Sequence, residues 1–172
     1  MKNISVPFNN LNSQYLELKE EIDSAISEVI KTSSFVRGKY VKNFENDFAN
    51  AIGIENCISC ANGTDALYIA MKALKLKKGD QVIVPAHSWI STSSTVTQAG
   101  GEIVFCDTHP DNFTINEELI ESLITNKTVG IIPVHLYGQA AEMDKILSIA
   151  KKYNLWVIED CAQAHLAEYK GK

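Results

Sequence analysis

The stretch Leu155-Trp156-Val157-Ile158-Glu159-Asp160-Cys161-Ala162-Gln163-Ala164-His165-Leu166-Ala167 opens with four apolar residues and then meets two carboxylates. An apolar run without polar alternation suits a short strand buried on both faces of a parallel sheet. Glu159 and Asp160 then fall at its C-terminal end, the edge where open α/β sheets hold ligands. A carboxylate taken out of water is costly unless a cation or a proton donor meets it. Asp160 at such an edge therefore asks for a cationic or protonated partner, and the rest of the chain is read for groups that accompany it.

Outward from this stretch, strands alternate with helices back to about residue 55. Short apolar runs at 57–61, 81–84, 102–106, 128–134 and 155–158 read as strands. Helical segments at 65–74, 91–99, 117–124 and 141–153 lie between them, the last with Met143, Ile146, Leu147 and Ala150 on one stripe. Turn residues at Lys77–Asp80, Pro85 and Gly100-Gly101 separate the segments. Such alternation predicts βαβ units, hence an α/β fold with a mostly parallel sheet and flanking helices. Before it, 11–31 and 40–52 read as amphipathic helices. Leu11, Tyr15, Leu18, Ile22, Ile26 and Val29 recur at three- and four-residue steps in the first; Val41, Phe44, Phe48 and Ile52 do so in the second. Gly53 is placed to end the second. The expected organisation is a helical segment at 1–54 and an α/β portion at 55–172.

A net charge of −5 argues against a nucleic-acid surface, which needs a basic patch. The first residues lack the apolar core of a signal peptide, and no apolar run approaches the length of a membrane span. A cytoplasmic protein with neither a nucleic-acid nor a membrane partner is expected. Cys57 and Cys60 have Cys-x-x-Cys spacing, but no second pair completes a zinc site, so they read as buried structural thiols and no metal is expected. His87, His109 and His135 read as surface or loop residues.

Chemistry gathers in three places. Asn62-Gly63-Thr64-Asp65-Ala66-Leu67 sits between the first strand and its helix. Gly63 permits a tight turn, Thr64 is placed to cap the helix, and the free amides of a helix start suit a phosphate. Any N-capped turn of this kind looks similar, so the signal is weak alone. Trp89 follows the second strand in Pro85-Ala86-His87-Ser88-Trp89-Ile90-Ser91-Thr92. It reads equally as a core anchor or as a flat platform for a planar ring. Asp160 completes the set. A phosphate, a flat ring and a ring cation together describe pyridoxal 5′-phosphate; the carboxylate keeps the pyridine nitrogen protonated, which makes the ring an electron sink.

On these residues the chain resembles the nucleotide-sugar aminotransferases of the DegT/DnrJ/StrS type, which have the aspartate-aminotransferase fold. The most specific pieces are Gly63-Thr64-Asp65-Ala66-Leu67 and Glu159-Asp160-Cys161-Ala162-Gln163-Ala164-His165. Gly38 with Phe44-Glu45, the loop around Trp89, Val104-Phe105-Cys106-Asp107 and Pro133-Val134-His135-Leu136-Tyr137-Gly138-Gln139 support them. The resemblance implies an incomplete version of the fold type I large domain, without the C-terminal small domain. It implies that the backbone at Gly63, Thr64 and Asp65 holds the cofactor phosphate and that Trp89 stacks on the pyridine ring. Asp160 would pair with the ring nitrogen, Gln163 would bond the ring hydroxyl, and His165 would support the site.

The family's Schiff-base lysine lies downstream of the Asp160 segment, and neither Lys170 nor Lys172 matches its position. The chain alone is therefore expected to be inactive. The family sheet also places two later strands between the 57–61 run and the other four. Without them, 57–61 would lack neighbours for its backbone groups. The phosphate loop would then be untethered from Asp160, while the other four strands would still form a contiguous parallel block. By resemblance, the full-length protein moves an amino group, typically from glutamate, to a nucleotide-linked keto sugar. It would serve amino-sugar biosynthesis such as that of O-antigen or another polysaccharide, and its site would be built at a homodimer interface. Two alternatives stand beside this: a nucleotide-binding α/β module, which wants a glycine-rich first turn that Asn62-Gly63-Thr64 does not supply, and a catalytically dead remnant that dimerises with intact partners.

Overall fold

Asn10 starts the first helix by accepting the Ser13 N–H on its side-chain oxygen, at 3.2 Å, and Ser33 ends it in the left-handed region. The computed structural model describes residues 6–171. It forms two compact units, one running to Ser59 and the other beginning at Cys60. The first unit holds α1 (Leu11–Thr32) and α2 (Lys39–Ile52), the latter ended by Gly53 at φ 76°. Both helices form as the spacing predicts. Glu28 ties them, accepting from Lys39 and from the Tyr40 hydroxyl, the latter at 2.9 Å. Their apolar stripes stay largely uncovered: α1 has no buried residue and α2 has one, Ala49.

The strand expected at 57–61 does not form. No sheet neighbour meets it, so its backbone is satisfied differently: the Glu45 carboxylate accepts the Ser59 N–H at 2.9 Å and the Ser59 hydroxyl at 2.6 Å. The thiols there are not buried as expected either; Cys57 is half-buried and Cys60 exposed, and both are free.

The second unit is a parallel α/β assembly. It contains α3 (Gly63–Ala73), β1 (Gln81–Pro85), α4 (Ile90–Ala99), β2 (Glu102–Cys106), α5 (Glu117–Leu123), β3 (Thr128–Ile131), α6 (Met143–Tyr153) and β4 (Trp156–Val157). The strands lie in the order β2-β1-β3-β4, all parallel, so the contiguous block of four is present. Side-chain alternation divides the core into two layers. Val82, Val84 and Ile132 pack with Leu67 and Met71 of α3 and Val96 and Ala99 of α4. Ile83 and Ile131 pack on the other face with Ile120 of α5 and Met143, Ile146 and Ala150 of α6. Among the described residues no helix is long and apolar enough to cross a membrane.

Two expectations about the strands change. β3 stops at Ile131 rather than 134, because Pro133 has no N–H to donate; Val134 returns only as an isolated parallel bridge to Asp160. β4 lies at the sheet edge and residues 155–158 are half-buried, not enclosed on both faces.

On the α5–α6 side, Glu117 is only 3% exposed and accepts from Lys145 at 2.8 Å and His109 at 2.7 Å. Burial alone raises its carboxyl; the bonds from Lys145 and His109 outweigh that and hold it below its ordinary value of 4.5. A lowered folded-state value means stabilisation that is complete above about pH 4.5 and lost as the pH falls through the folded-state value. Glu117→Gln is expected to cost about 1–3 kcal/mol at pH 7 and to flatten the acid limb of stability. Urea midpoints of both proteins at pH 7 and below pH 4.5 check this; parallel acid limbs would count against it.

Candidate cofactor site

The strand order fixes where a ligand sits. From β1 the chain crosses through α4 to β2 on one side; from β2 it crosses back over β1 through α5 to β3. α4 and α5 lie on opposite sheet faces, so the carboxyl ends of β1 and β3 part and leave a crevice between them. A cavity of about 270 Å³ opens there, lined by Gly63, Thr64, Trp89, Asp160 and Gln163 together with Leu67, Ser88, Ser91, Val134, Leu136 and Ala162. Small-molecule sites run about 300–1,000 Å³, so this one suits a compact ligand.

Gly63 and Thr64 open α3. The cap is Asn62 rather than the expected Thr64: its side-chain oxygen accepts the Asp65 N–H at 2.9 Å, and its carbonyl accepts Ala66 N–H at 3.0 Å. Among the described residues no protein acceptor takes the Gly63 or Thr64 N–H. Gly63 is not in the left-handed region, so its backbone does not require glycine; a Cβ added there meets nothing within 4 Å. Asp65, its amide taken by the cap, does not line the cavity.

The turn at Asn62–Asp65 is tethered to Asp160, contrary to expectation. Leu67 and Met71 anchor α3 in the core beside α4, and the Thr64 and Ser91 hydroxyls meet at 2.7 Å. The next residue, Thr92, is 1% exposed and donates to Asp160 Oδ2 at 3.0 Å. With its hydrogen spent on the carboxylate, Thr92 accepts from Ser88 Oγ at 2.9 Å. The first turn of α4 thus joins the two sides of the cavity. Asp160 Oδ1 accepts the Ala162 N–H at 3.1 Å, so each carboxylate oxygen carries one protein bond and keeps room for another.

Trp89 is 75% exposed at the N-terminal end of α4, which removes the core-anchor reading and leaves its ring open. Gln163 Oε1 accepts the Tyr137 N–H at 2.7 Å, which steadies Tyr137 in the left-handed region at φ 58°. That orients the amide with its two N–H donors unspent. His165 is exposed in the turn beyond and does not line the cavity.

His135, expected as a surface or loop histidine, lies in a loop but is 6% exposed. Its Nδ1 accepts the Ala141 N–H at 3.1 Å and its Nε2 lies 2.8 Å from Glu159 Oε2. The neighbouring Cys161 thiol and the Glu159 carboxylate favour the imidazolium and, against the opposing effect of burial, push the ring up to about 9. The Ala141 N–H acts against them, because a ring protonated at Nδ1 forfeits that buried bond. Glu159 is in turn held below the usual carboxylate value by His135. Sequence reading missed His135, Ser91 and Thr92; the hydroxyl-rich run Ser91-Thr92-Ser93-Ser94-Thr95 after Trp89 was the available signal for the last two.

A doubly wound parallel sheet thus gathers amides, hydroxyls, an exposed indole and a carboxylate around its switch point, a set of groups chemically suited to a small, phosphorylated planar ligand. Residues 16–172 match the DegT/DnrJ/EryC1/StrS aminotransferase family, and the chain belongs to it. It is 42% identical over 167 residues to the UDP-2-acetamido-2-deoxy-3-oxo-D-glucuronate aminotransferase of Pseudomonas aeruginosa, covering 97% of this chain and 46% of that one. Among solved structures, S. venezuelae DesV superimposes with a TM-score of 0.94 at 37% identity, over 97% of this chain and 45% of DesV. Bacillus subtilis NtdA, solved with its cofactor PMP bound, does so at 0.89 and 36%, over 97% and 39%. The chain thus spans less than half the length of these relatives. Pyridoxal 5′-phosphate is the cofactor indicated for the site, and the free Gly63 and Thr64 amides, the open indole and the two-bonded carboxylate suit its three chemical parts.

Proposed function

We propose that this chain is the N-terminal part of a pyridoxal-phosphate-dependent aminotransferase that moves an amino group from glutamate to a nucleotide-linked keto sugar. The observation that carries this is the convergence of Gly63, Thr64, Trp89, Asp160 and Gln163 on one cavity. The bound cofactor would supply an electron sink for the carbon that loses its proton. The residues supply the hold. The amides of Gly63 and Thr64, with the Thr64 and Ser91 hydroxyls, would bind the phosphate. Trp89 would cover the ring. Asp160 would accept the ring N–H and keep it charged, and Gln163 would donate to the ring hydroxyl. Residues 55–172 would form part of the large domain, and 1–54 a separate helical segment.

The chain alone would carry out no transfer. Among the described residues the cavity lining includes no lysine, and Lys145 and Lys170 are paired with Glu117 and Asp144. In the family pattern the lysine that holds the cofactor and shuttles the proton comes downstream of Asp160. The whole protein would act as a homodimer, and the exposed apolar residues of α1 and α2 and the loops at Trp89 and Tyr137 are the proposed contact regions. Amino-sugar biosynthesis in the cytoplasm, feeding O-antigen or another polysaccharide, is the setting that fits a nucleotide-linked substrate. Incubating the chain with pyridoxal phosphate and reducing with borohydride tests the claim of inactivity. The expected result is scattered, substoichiometric labelling of surface lysines; one stoichiometric adduct on a single lysine would overturn it.

A further inference from the structure

We propose that His135 is a positioning residue for Asp160, acting through Glu159 as a neutral imidazole that carries its proton on Nε2. The inference rests on Asp160 being the partner of the cofactor nitrogen, and it concerns how that carboxylate is held in place.

The β3–β4 ladder pairs only Gly130 with Trp156 and Ile131 with Val157. Asp160 lies three residues beyond the end of an edge strand, where little sheet remains to fix it. What holds it comes from residues 133–135. Pro133 O accepts the Asp160 N–H at 2.9 Å, and the His135 N–H donates to Asp160 O at 3.1 Å. The His135 side chain then reaches the neighbouring residue: Nε2 meets Glu159 Oε2 at 2.8 Å. Residue 135 therefore grips residue 160 by main chain and residue 159 by side chain. Successive side chains of an extended segment point to opposite faces. Fixing Glu159 on one face sets the rotation of the segment, and that rotation delivers Asp160 to Thr92 on the other.

The tautomer follows from the second nitrogen. Nδ1 accepts the Ala141 N–H, so it bears no hydrogen, and the single ring proton sits on Nε2 facing Glu159. The charged and titratable groups at the ring are the Glu159 carboxylate and the Cys161 thiol. A neutral donor fixes Glu159 without adding a cation that would offset the negative charge Asp160 presents to a ring nitrogen. The buried ring, its two hydrogen bonds and its position in the loop after β3 are otherwise unexplained by cofactor contact, because His135 does not line the cavity.

The test uses the isotope-labelled 172-residue chain and needs no cofactor. Ring nitrogen shifts at neutral pH are expected to report one protonated and one unprotonated nitrogen in His135. In His135→Leu and Glu159→Ala, exchange of the Asp160 amide is expected to accelerate about tenfold relative to that of Ile132, a core amide bonded to Ile83 O. The Asp160 carboxyl carbon resonance should move with it. His135→Gln, which keeps a donor towards Glu159, should restore most of the protection. A doubly protonated ring overturns the proposal. So does exchange at Asp160 and Ile132 that rises in step, which is what a purely structural role gives. Because each variant is read against Ile132 within the same molecule, overall loss of stability does not mimic the effect. If these results hold and pyridoxamine phosphate does not bind, the clamp stands and the cofactor reading falls.

Discussion

Gly130→Val is expected to abolish folding of the sheet unit, and Gly130→Ala to lower its melting temperature by about 10 °C or more. Gly130 sits in β3 directly opposite Trp156 of β4. The indole lies across it so closely that an added Cβ would fall 2.2 Å from the ring. Atoms cannot share that space, and the ring is rigid, so either the indole swings out or the two strands part. Ordinary overpacking costs about 1–3 kcal/mol. Here the displaced group is the largest side chain of an edge strand whose ladder has two residue pairs. Losing it uncovers Val82, Val84 and Ile132 on the same face and loosens the segment that carries Asp160. Gly130→Ala combined with Trp156→Leu should recover much of the loss. Thermal unfolding followed by circular dichroism reads all three variants; a Gly130→Val chain with an unchanged transition would contradict the packing.

Asp160→Asn is expected to leave the fold nearly intact while weakening pyridoxamine-phosphate binding roughly 10- to 100-fold, the equivalent of one charge-assisted hydrogen bond of about 1.5–3 kcal/mol. The fold survives because Asn keeps an oxygen that accepts from Thr92 or Ala162, and because the ladder bonds to Pro133 and His135 come from its backbone. Binding suffers because an amide cannot carry the charge that keeps a pyridine nitrogen protonated. Affinities by calorimetry and unfolding midpoints for both proteins separate the two effects. Equal affinities would remove Asp160 from the site.

Much of this was legible because the relevant signals are local. Val82-Ile83-Val84 is a β-branched run between a Lys-Gly-Asp turn and a proline, and it lies at the centre of the sheet. Asp160 follows an apolar run, and that order alone placed it at a carboxyl edge. The failures are non-local. Cys57–Ala61 has strand-like residues, but a strand needs neighbours and none is present among the described residues. Leu155–Ile158 is apolar enough for a central strand yet ends at an edge, because its place is set by which strands surround it. His135 carries no periodic pattern. Its burial depends on Glu159 and Ala141, 24 residues away and 6 residues away in sequence, meeting around one ring. The tether between Thr64 and Ser91 likewise spans 27 residues.

The most direct test of the central claim, that three distant turns form one cofactor site, is a titration of the ¹⁵N-labelled chain with pyridoxamine phosphate. Pyridoxamine phosphate carries no aldehyde to react with surface lysines. The expected result is a single saturable event in which the Gly63 and Thr64 amides, the Trp89 indole N–H and the Gln163 side-chain amide all shift with the same midpoint. Shifts confined to the start of α3, with Trp89 and Gln163 unmoved, would show a phosphate bound at a helix end and would contradict a shared site.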